Sequence, residues 1–191
     1  MNTLIFIRHG ETDMAGRFCG HSNPELNPAG ELQIALAAEQ AARLGIERIY
    51  SSDLHRASQT AAALAQRIGI AVDYLPALRE IDFGLWEGLL WQDIEDRFPE
   101  EASRWIRGFP LQSAPNGEAY SDFTARVDGV LISLLEAAME KKIAIVTHRG
   151  VMCYGLTRFF GFSEDAAWAK TAPYCAMVIV PTRMCECEVR S

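Results

Sequence analysis

Two short runs in this chain carry no charge and almost no polarity: Thr3-Leu4-Ile5-Phe6-Ile7 and Ile143-Ala144-Ile145-Val146-Thr147. Runs of that length and branching read as strands buried on both faces, which occur almost only in parallel sheets covered by helices on two sides. Both stop at the same chemistry, Arg8-His9-Gly10 after the first and His148-Arg149-Gly150 after the second. In open α/β sheets, ligands bind outside the carboxyl ends of the strands. A fixed cation beside an imidazole at that place suits an anionic, phosphate-like substrate.

Between these runs helical and extended patterns alternate. Asn27-Pro28 supplies an N-cap and a first-turn proline for a helix to about Leu44, with Leu32, Ala35 and Leu36 on its apolar face. Ile46–Tyr50 is a strand, and Asp53 is placed to cap a helix through Ile68 that Gly69 closes. Arg56 then lies in the first turn, where free N–H groups and the helix dipole attract anions. Ala71–Leu75 reads as a short edge strand beside Pro76. The segment from Leu78 to Gly88 has too many glycines for a helix. It carries three carboxylates, Glu80, Asp82 and Glu87, and spacing alone does not separate them as acid/base candidates. Helices at about 91–98 and 100–107, followed by a Pro/Gly/Asn break at 108–118, make residues 89–118 a lid-like insertion over the site. Phe123, Val127, Val130, Leu131, Leu134, Leu135 and Ala138 give a helix over 119–140 one apolar face. Helices at 151–160 and 164–170 follow, and a hairpin of Tyr174–Val180 with Cys185–Val189 closes the chain. The fold expected is a single domain over 1–191, a three-layer α/β/α sandwich around a mostly parallel central sheet.

Composition narrows the function classes. With 18 Lys and Arg against 25 Asp and Glu, the formal net charge is −7. Nucleic acid and anionic membrane surfaces are therefore poor partners, and an anionic substrate needs a locally cationic pocket. The five cysteines, at 19, 153, 175, 185 and 187, are odd in number with no secretory segment ahead of them, which points to free thiols in a reducing cytoplasm. Cys185-x-Cys187 lacks a metal spacing and reads as packing on one face of a strand. No apolar run approaches the ~18 residues of a membrane span. The expectation is a soluble cytoplasmic protein, monomer or homodimer.

Two imidazoles at the carboxyl ends of parallel strands can meet over one pocket with Arg8 and Arg56 beside them. Guanidinium groups repel a metal ion, so a metal site fits poorly there. The Gly-x-Ser-x-Gly elbow is missing, as are the phosphate loop and the dinucleotide fingerprint. Phosphoryl transfer to an imidazole remains. Adjacent arginines would stabilise the transferring oxygens and keep His9 neutral and nucleophilic.

Four motifs then occur in order: Arg8-His9-Gly10-Glu11-Thr12, Ser51-Ser52-Asp53 through Ala61, Leu78-Arg79-Glu80 through Trp86-Glu87-Gly88, and Thr147-His148-Arg149-Gly150. Together they resemble the histidine phosphatase superfamily, which includes the cofactor-dependent phosphoglycerate mutases. The resemblance implies a phosphoglycerate mutase-like fold and a catalytic set of His9, Arg8, Arg56, His148 and Glu80. In that set His9 forms a phosphohistidine, Arg8, Arg56 and His148 hold the phosphoryl oxygens, and Glu80 protonates the leaving oxygen and later helps activate water. It implies no metal and no cofactor. The family usually has an Asn where this chain has Ala15.

The segment Asp82–Gly88 and the short chain resemble the phosphatase side rather than the mutases. Gly16-Arg17-Phe18-Cys19-Gly20-His21 with Asn27, and Pro115-Asn116-Gly117-Glu118, resemble α-ribazole phosphatases of cobalamin nucleotide-loop assembly. That resemblance implies a small phosphomonoester substrate contacted by Arg8, Glu11, Thr12, Arg17, Cys19, Gly20, His21, Arg56, Glu80, His148 and Arg149; Arg17, His21 and Arg107 either line the leaving-group pocket or are simply solvated. His55 and Arg149 fill positions that the family does not fix and read as surface residues, although Arg149's place beside His148 keeps it among the binding candidates. The same pattern also serves broad-specificity phosphatases of sugars and small molecules, and more remotely a phosphoglycerate mutase.

Overall fold

The computed structural model describes residues 3–182. Its elements follow in the order β1 (Thr3–Arg8), α1 (Pro28–Ala41), β2 (Arg48–Ser51), α2 (His55–Ile68), β3 (Val72–Tyr74), α3 (Trp91–Arg97), α4 (Pro99–Gly108), α5 (Tyr120–Ala138), β4 (Ile143–Thr147), α6 (Arg149–Phe160), α7 (Glu164–Lys170) and β5 (Met177–Pro181). The strands form one sheet in the order β3-β2-β4-β1-β5. β1–β4, β2–β4 and β2–β3 are parallel, and β5 runs antiparallel beside β1. This is the mostly parallel three-layer architecture the sequence implies, with β3 at an edge. Of the expected hairpin only β5 falls within the described residues. Cys185–Val189, including Cys185 and Cys187, lies outside them.

Alternation along each central strand divides the core in two. Leu4, Phe6, Ile143 and Ile145 face the layer of α5, α6 and α7, where they meet Phe123, Val127, Leu131, Met152 and Leu156. Ile5, Ile7, Ala144 and Val146 face the layer of α1 and α2. A third cluster joins the insertion to the loops before it, where Ile94, Ala102, Trp91 and Trp105 pack with Trp86 and Phe18. No helix among the described residues is long and apolar enough to cross a membrane.

Two expectations are corrected. On α1 the buried face is Gly30, Ala37, Ala38 and Ala41, while Leu32 and Leu36 are 71% and 68% exposed and Ala35 is exposed. Two stripes fit the helical period, and the one with short side chains wins because α1 must lie close against α2 and the sheet. Asp53 does not cap α2. Its carboxylate accepts from Arg79 Nε at 2.7 Å, and Asn23 Oδ1 takes the N–H of His55 instead. Val130, expected on the apolar face of α5, does pack against the core, but it is half-buried rather than fully covered.

The two faces make a stability prediction. Leu131→Ala removes a side chain that is 1% exposed and costs about 2–5 kcal/mol in chemical denaturation. Leu36→Ala changes stability by no more than roughly 0.5 kcal/mol. Comparable losses in the two variants contradict the assignment of faces.

Candidate active site

The site begins with strand register. Arg8 pairs with Thr147 across β1–β4, so the next residues, His9 and His148, emerge side by side at the carboxyl edge of the sheet. Their ring centroids are 5.1 Å apart. The N–H of His9 donates to Thr147 O at 3.0 Å, which extends the ladder one residue beyond the strand. His9 Nδ1 lies 2.7 Å from Gly10 O. A carbonyl only accepts, so Nδ1 carries the proton and Nε2 presents its lone pair. Gly10 N donates to Thr60 Oγ1 at 3.0 Å, and Thr60 Oγ1 donates back to Arg56 O at 2.7 Å, tying the His9 turn to the start of α2. β2 joins through Ser51, paired with Val146. Its neighbour Ser52 places Oγ 2.8 Å from His148 Nε2.

Cations surround the two rings. Arg56, fully buried, donates from Nη1 to Ser22 O and from Nη2 to Gly20 O, both at 2.7 Å, and to Cys19 O at 3.2 Å. The N–H side of that same loop is held by Glu87, whose carboxylate accepts from Gly20, His21, Ser22 and Phe83 at 2.8–3.0 Å. Burial alone would raise the Glu87 carboxyl. Its hydrogen bonds, led by those from Ser22 and Phe83, outweigh burial and hold it below the usual range. Arg8 donates to the carbonyls of Thr171 and Ala172 and lies 4.0 Å over the Tyr174 ring. Arg8 Nε, Arg56 Nε and His148 Nδ1 are buried and have no hydrogen-bond partner. Orphaned polar atoms cost about 1–3 kcal/mol each. Two such guanidinium nitrogens and one ring nitrogen, gathered near the His9 imidazole, are suited to an anion.

Burial, reinforced by the positive charge of Arg56, pushes both His9 and His148 well below 6.5. Both rings are neutral where a solvated imidazole would begin to protonate. Glu80 shifts the other way. Its carboxylate accepts from Ile81 N at 3.1 Å and Gly150 N at 2.9 Å, yet burial outweighs these bonds and raises its pKa. Gly150 lets the carboxylate come this close: a Cβ there would stand 2.3 Å from Glu80 Oε1, so a larger residue displaces the Glu80 side chain.

A cleft of about 720 Å³ opens over these groups. Arg8, His9, Thr12, Arg17, Cys19, Glu80 and Arg149 line its polar part, and Phe83, Trp105, Phe109, Tyr120, Tyr154 and Trp168 line much of the remainder. Trp105, Phe109, Pro110 and Gln112–Ala114 come from the expected insertion. Arg149 stacks 3.6 Å over Trp168 and donates to its carbonyl at 2.9 Å. Arg17 donates to Gly88 O at 2.9 Å.

Several candidates fall elsewhere. Glu11 faces α1, accepting from Asn27 Nδ2 at 3.1 Å and Gln33 Nε2 at 3.5 Å, so it braces the loop and is absent from the cleft wall. Gly20 and His21 are bound through their backbones to Glu87, His21 Nδ1 sits 3.5 Å from Asp82, and neither lines the cleft. Arg107 is exposed and also off the wall, and His55 and Ala15 are exposed. Arg56 and His148 stand behind the surface rather than on it, at 0% and 1% exposure. Of the three carboxylates, Glu87 is spent on backbone N–H groups, whereas Glu80 and Asp82 line the cleft and Glu80 alone is buried. Tyr174 went unrecognised in the sequence, where it looked like the start of a strand. Its ring centroid is 5.7 Å from that of His9. Among the described residues, no three His, Cys, Asp or Glu side chains are grouped as metal ligands. Cys19, Cys153 and Cys175 are free thiols.

Known proteins resemble this chain in sequence and fold. The family model of the histidine phosphatase superfamily (branch 1) matches residues 4–191. The chain is 29% identical over 177 residues to phosphoserine phosphatase 1 of Hydrogenobacter thermophilus, covering 87% of this chain and 84% of that one. It is 29% identical over 167 residues to the adenosylcobalamin/alpha-ribazole phosphatase of Escherichia coli, covering 86% and 82%. The crystal structure of the alpha-ribazole phosphatase from Shigella flexneri superposes with a TM-score of 0.84 at 26% identity, over 94% of this chain and 90% of that one.

The electrostatics are testable without substrate. In an NMR titration the rings of His9 and His148 stay neutral through pH 6.5 and begin to protonate only well below it. In Arg56→Met both move upward, since a positive charge that opposes protonation is gone. Titration of either ring near 6.5 in the parent protein contradicts the buried, cation-flanked site.

Proposed function

The chain belongs to the histidine phosphatase superfamily, and from that membership we propose that it hydrolyses a phosphomonoester through a phosphohistidine on His9. The observation that carries this reading is the His9 ring itself, fixed by Gly10 O so that Nε2 is free, among buried donors that have no partner in the protein. In the first step His9 Nε2 attacks phosphorus and the bond to the ester oxygen breaks, while Glu80 gives its proton to that oxygen. Arg8, Arg56 and His148 stabilise the equatorial oxygens. In the second step water attacks the phosphohistidine, Glu80 takes the water's proton, and inorganic phosphate leaves with His9 restored.

The substrate we favour is α-ribazole 5′-phosphate, with a broader range of small phosphomonoesters as the alternative. The aromatic walls supply stacking surface for a flat, bulky leaving group. The carboxylates of Asp82, Glu164 and Asp165 on the same walls disfavour a leaving group with a net negative charge, such as the glycerate of 3-phosphoglycerate. The likeness to two alpha-ribazole phosphatases supports the same choice. The insertion would cover the leaving group as a lid.

The test is phosphate release in the presence of a chelator from α-ribazole 5′-phosphate, O-phosphoserine, 3-phosphoglycerate, a sugar phosphate and p-nitrophenyl phosphate. A preference of a hundredfold or more in kcat/KM for the ribazole ester, about 2.7 kcal/mol, is expected. His9→Ala should lower kcat on the order of 10⁴-fold or more. Activity falls as pH rises through the raised pKa of Glu80, so the optimum is acidic to neutral. Near-parental turnover by His9→Ala overturns the chemistry, and flat rates across the panel overturn the substrate.

A further inference from the structure

On the reading that Glu80 is the general acid, we propose that Arg126, paired with Glu118, is the positioning residue that holds it in place. Arg126 lies on α5, outside the four motifs, and is not on the cleft wall. Each of the five N–H groups of a guanidinium has a defined acceptor here. Nε donates to Glu118 Oε1 at 2.6 Å and Nη2 to Glu118 Oε2 at 2.7 Å, a bidentate pair. The other three go to main-chain carbonyls: Nη1 to Ala77 O at 3.0 Å and Arg79 O at 2.7 Å, and Nη2 to Glu80 O at 2.9 Å.

These carbonyls follow one another through the 3-10 turn at Pro76–Leu78 and into Glu80 itself. No strand or helix encloses Glu80, since the next regular turn begins at Gly84, so its backbone has no ladder to fix it. Arg126 substitutes for one. Glu118 completes the strap from the far side: its own N–H donates to Asp82 O at 2.9 Å, and its Oε2 accepts from Asp82 N at 3.3 Å. The pair therefore grips the chain at residues 77, 79 and 80 through the arginine and at 82 through the carboxylate. The Glu80 side chain is left to meet Ile81 N and Gly150 N. The pair is mostly buried, at 22% and 15% side-chain exposure, where a charged hydrogen-bonded network is stiffer and harder to replace than on the surface. Glu118 also lines the cleft, so the wall met by the leaving group and the acid that protonates it share one support.

A positioning residue for the acid acts on only one part of the reaction. Protonation matters for a poor leaving group and little for a good one. Benzyl phosphate and p-nitrophenyl phosphate both offer an aromatic ring to the cleft, but the benzyl alkoxide needs a proton to leave and the nitrophenolate does not. In Arg126→Met, kcat on benzyl phosphate should fall about 10- to 100-fold, while kcat on p-nitrophenyl phosphate should fall less than about threefold. In a Glu80→Gln background Arg126→Met should add nothing further on benzyl phosphate, because the two changes remove one function. Equal losses on both esters, or no loss on benzyl phosphate, overturn the assignment. If Arg126→Met does not fold, as circular dichroism and a melting curve will show, Arg126→Lys, which keeps the charge but not the five-donor fork, is measured in the same way. The same selective loss is expected, and its absence overturns the proposal. A parent chain that hydrolyses neither ester overturns the phosphatase reading, and this inference with it, whereas an active parent with an unselective variant overturns this inference alone.

Discussion

The parallel pairing of β1 with β4 is the constraint on which the site depends. One register, Arg8 opposite Thr147, brings two histidines 139 residues apart in sequence to 5.1 Å between centroids. A slip of one residue would turn Ile5 and Ile7 into the opposite core layer and take His9 away from His148. The strands hold that register because both faces are buried: Leu4, Ile5, Phe6 and Ile7 are at 0–1% exposure and Ile143–Val146 at 0%. The apolar core thus sets the geometry of a polar site that sits just beyond it.

That site is electrostatically costly, and the protein offsets the cost with backbone rather than with opposite charges. Arg56 is buried against the carbonyls of Cys19, Gly20 and Ser22, and the half-buried Glu87 accepts from the N–H groups of the same loop. A single peptide segment thereby separates a cation from an anion and anchors both, leaving Arg56 Nε without a partner. The guanidinium keeps its field for the site instead of losing it in a direct ion pair. Burial, reinforced by that field, holds His9 and His148 neutral, and burial holds Glu80 towards its protonated form. A neutral nucleophile beside a protonated acid is the combination that phosphoryl transfer to nitrogen requires.

Much of this was legible in the sequence, for identifiable reasons. Strands buried on both faces leave an unbroken apolar run, and a helix with one wide apolar face, such as α5, leaves a regular period, so the sheet and that helix could be read directly. His9, His148 and Arg56 could be placed because each lies within a residue or a turn of a strand end. α1 misled because its buried stripe is alanine, which has too little hydrophobic contrast to compete with the exposed Leu32 and Leu36. Glu11, Gly20 and His21 sit in the right motifs but turn to the structural side of the loop, a difference of side-chain direction that spacing does not encode. Tyr174 and Arg126 reach the site through long-range folding and leave no local pattern.

The central claim is that His9 carries the phosphoryl group. The most direct measurement is to quench the enzyme in alkali during turnover, digest it, and locate the phosphorylated residue by mass spectrometry, since a phosphoramidate on nitrogen survives base. The account predicts an alkali-stable phosphoryl group on His9, absent when the sample is first acidified. A phosphoryl group on another residue, or none during rapid turnover with the intermediate trapped at its steady-state maximum, would contradict it.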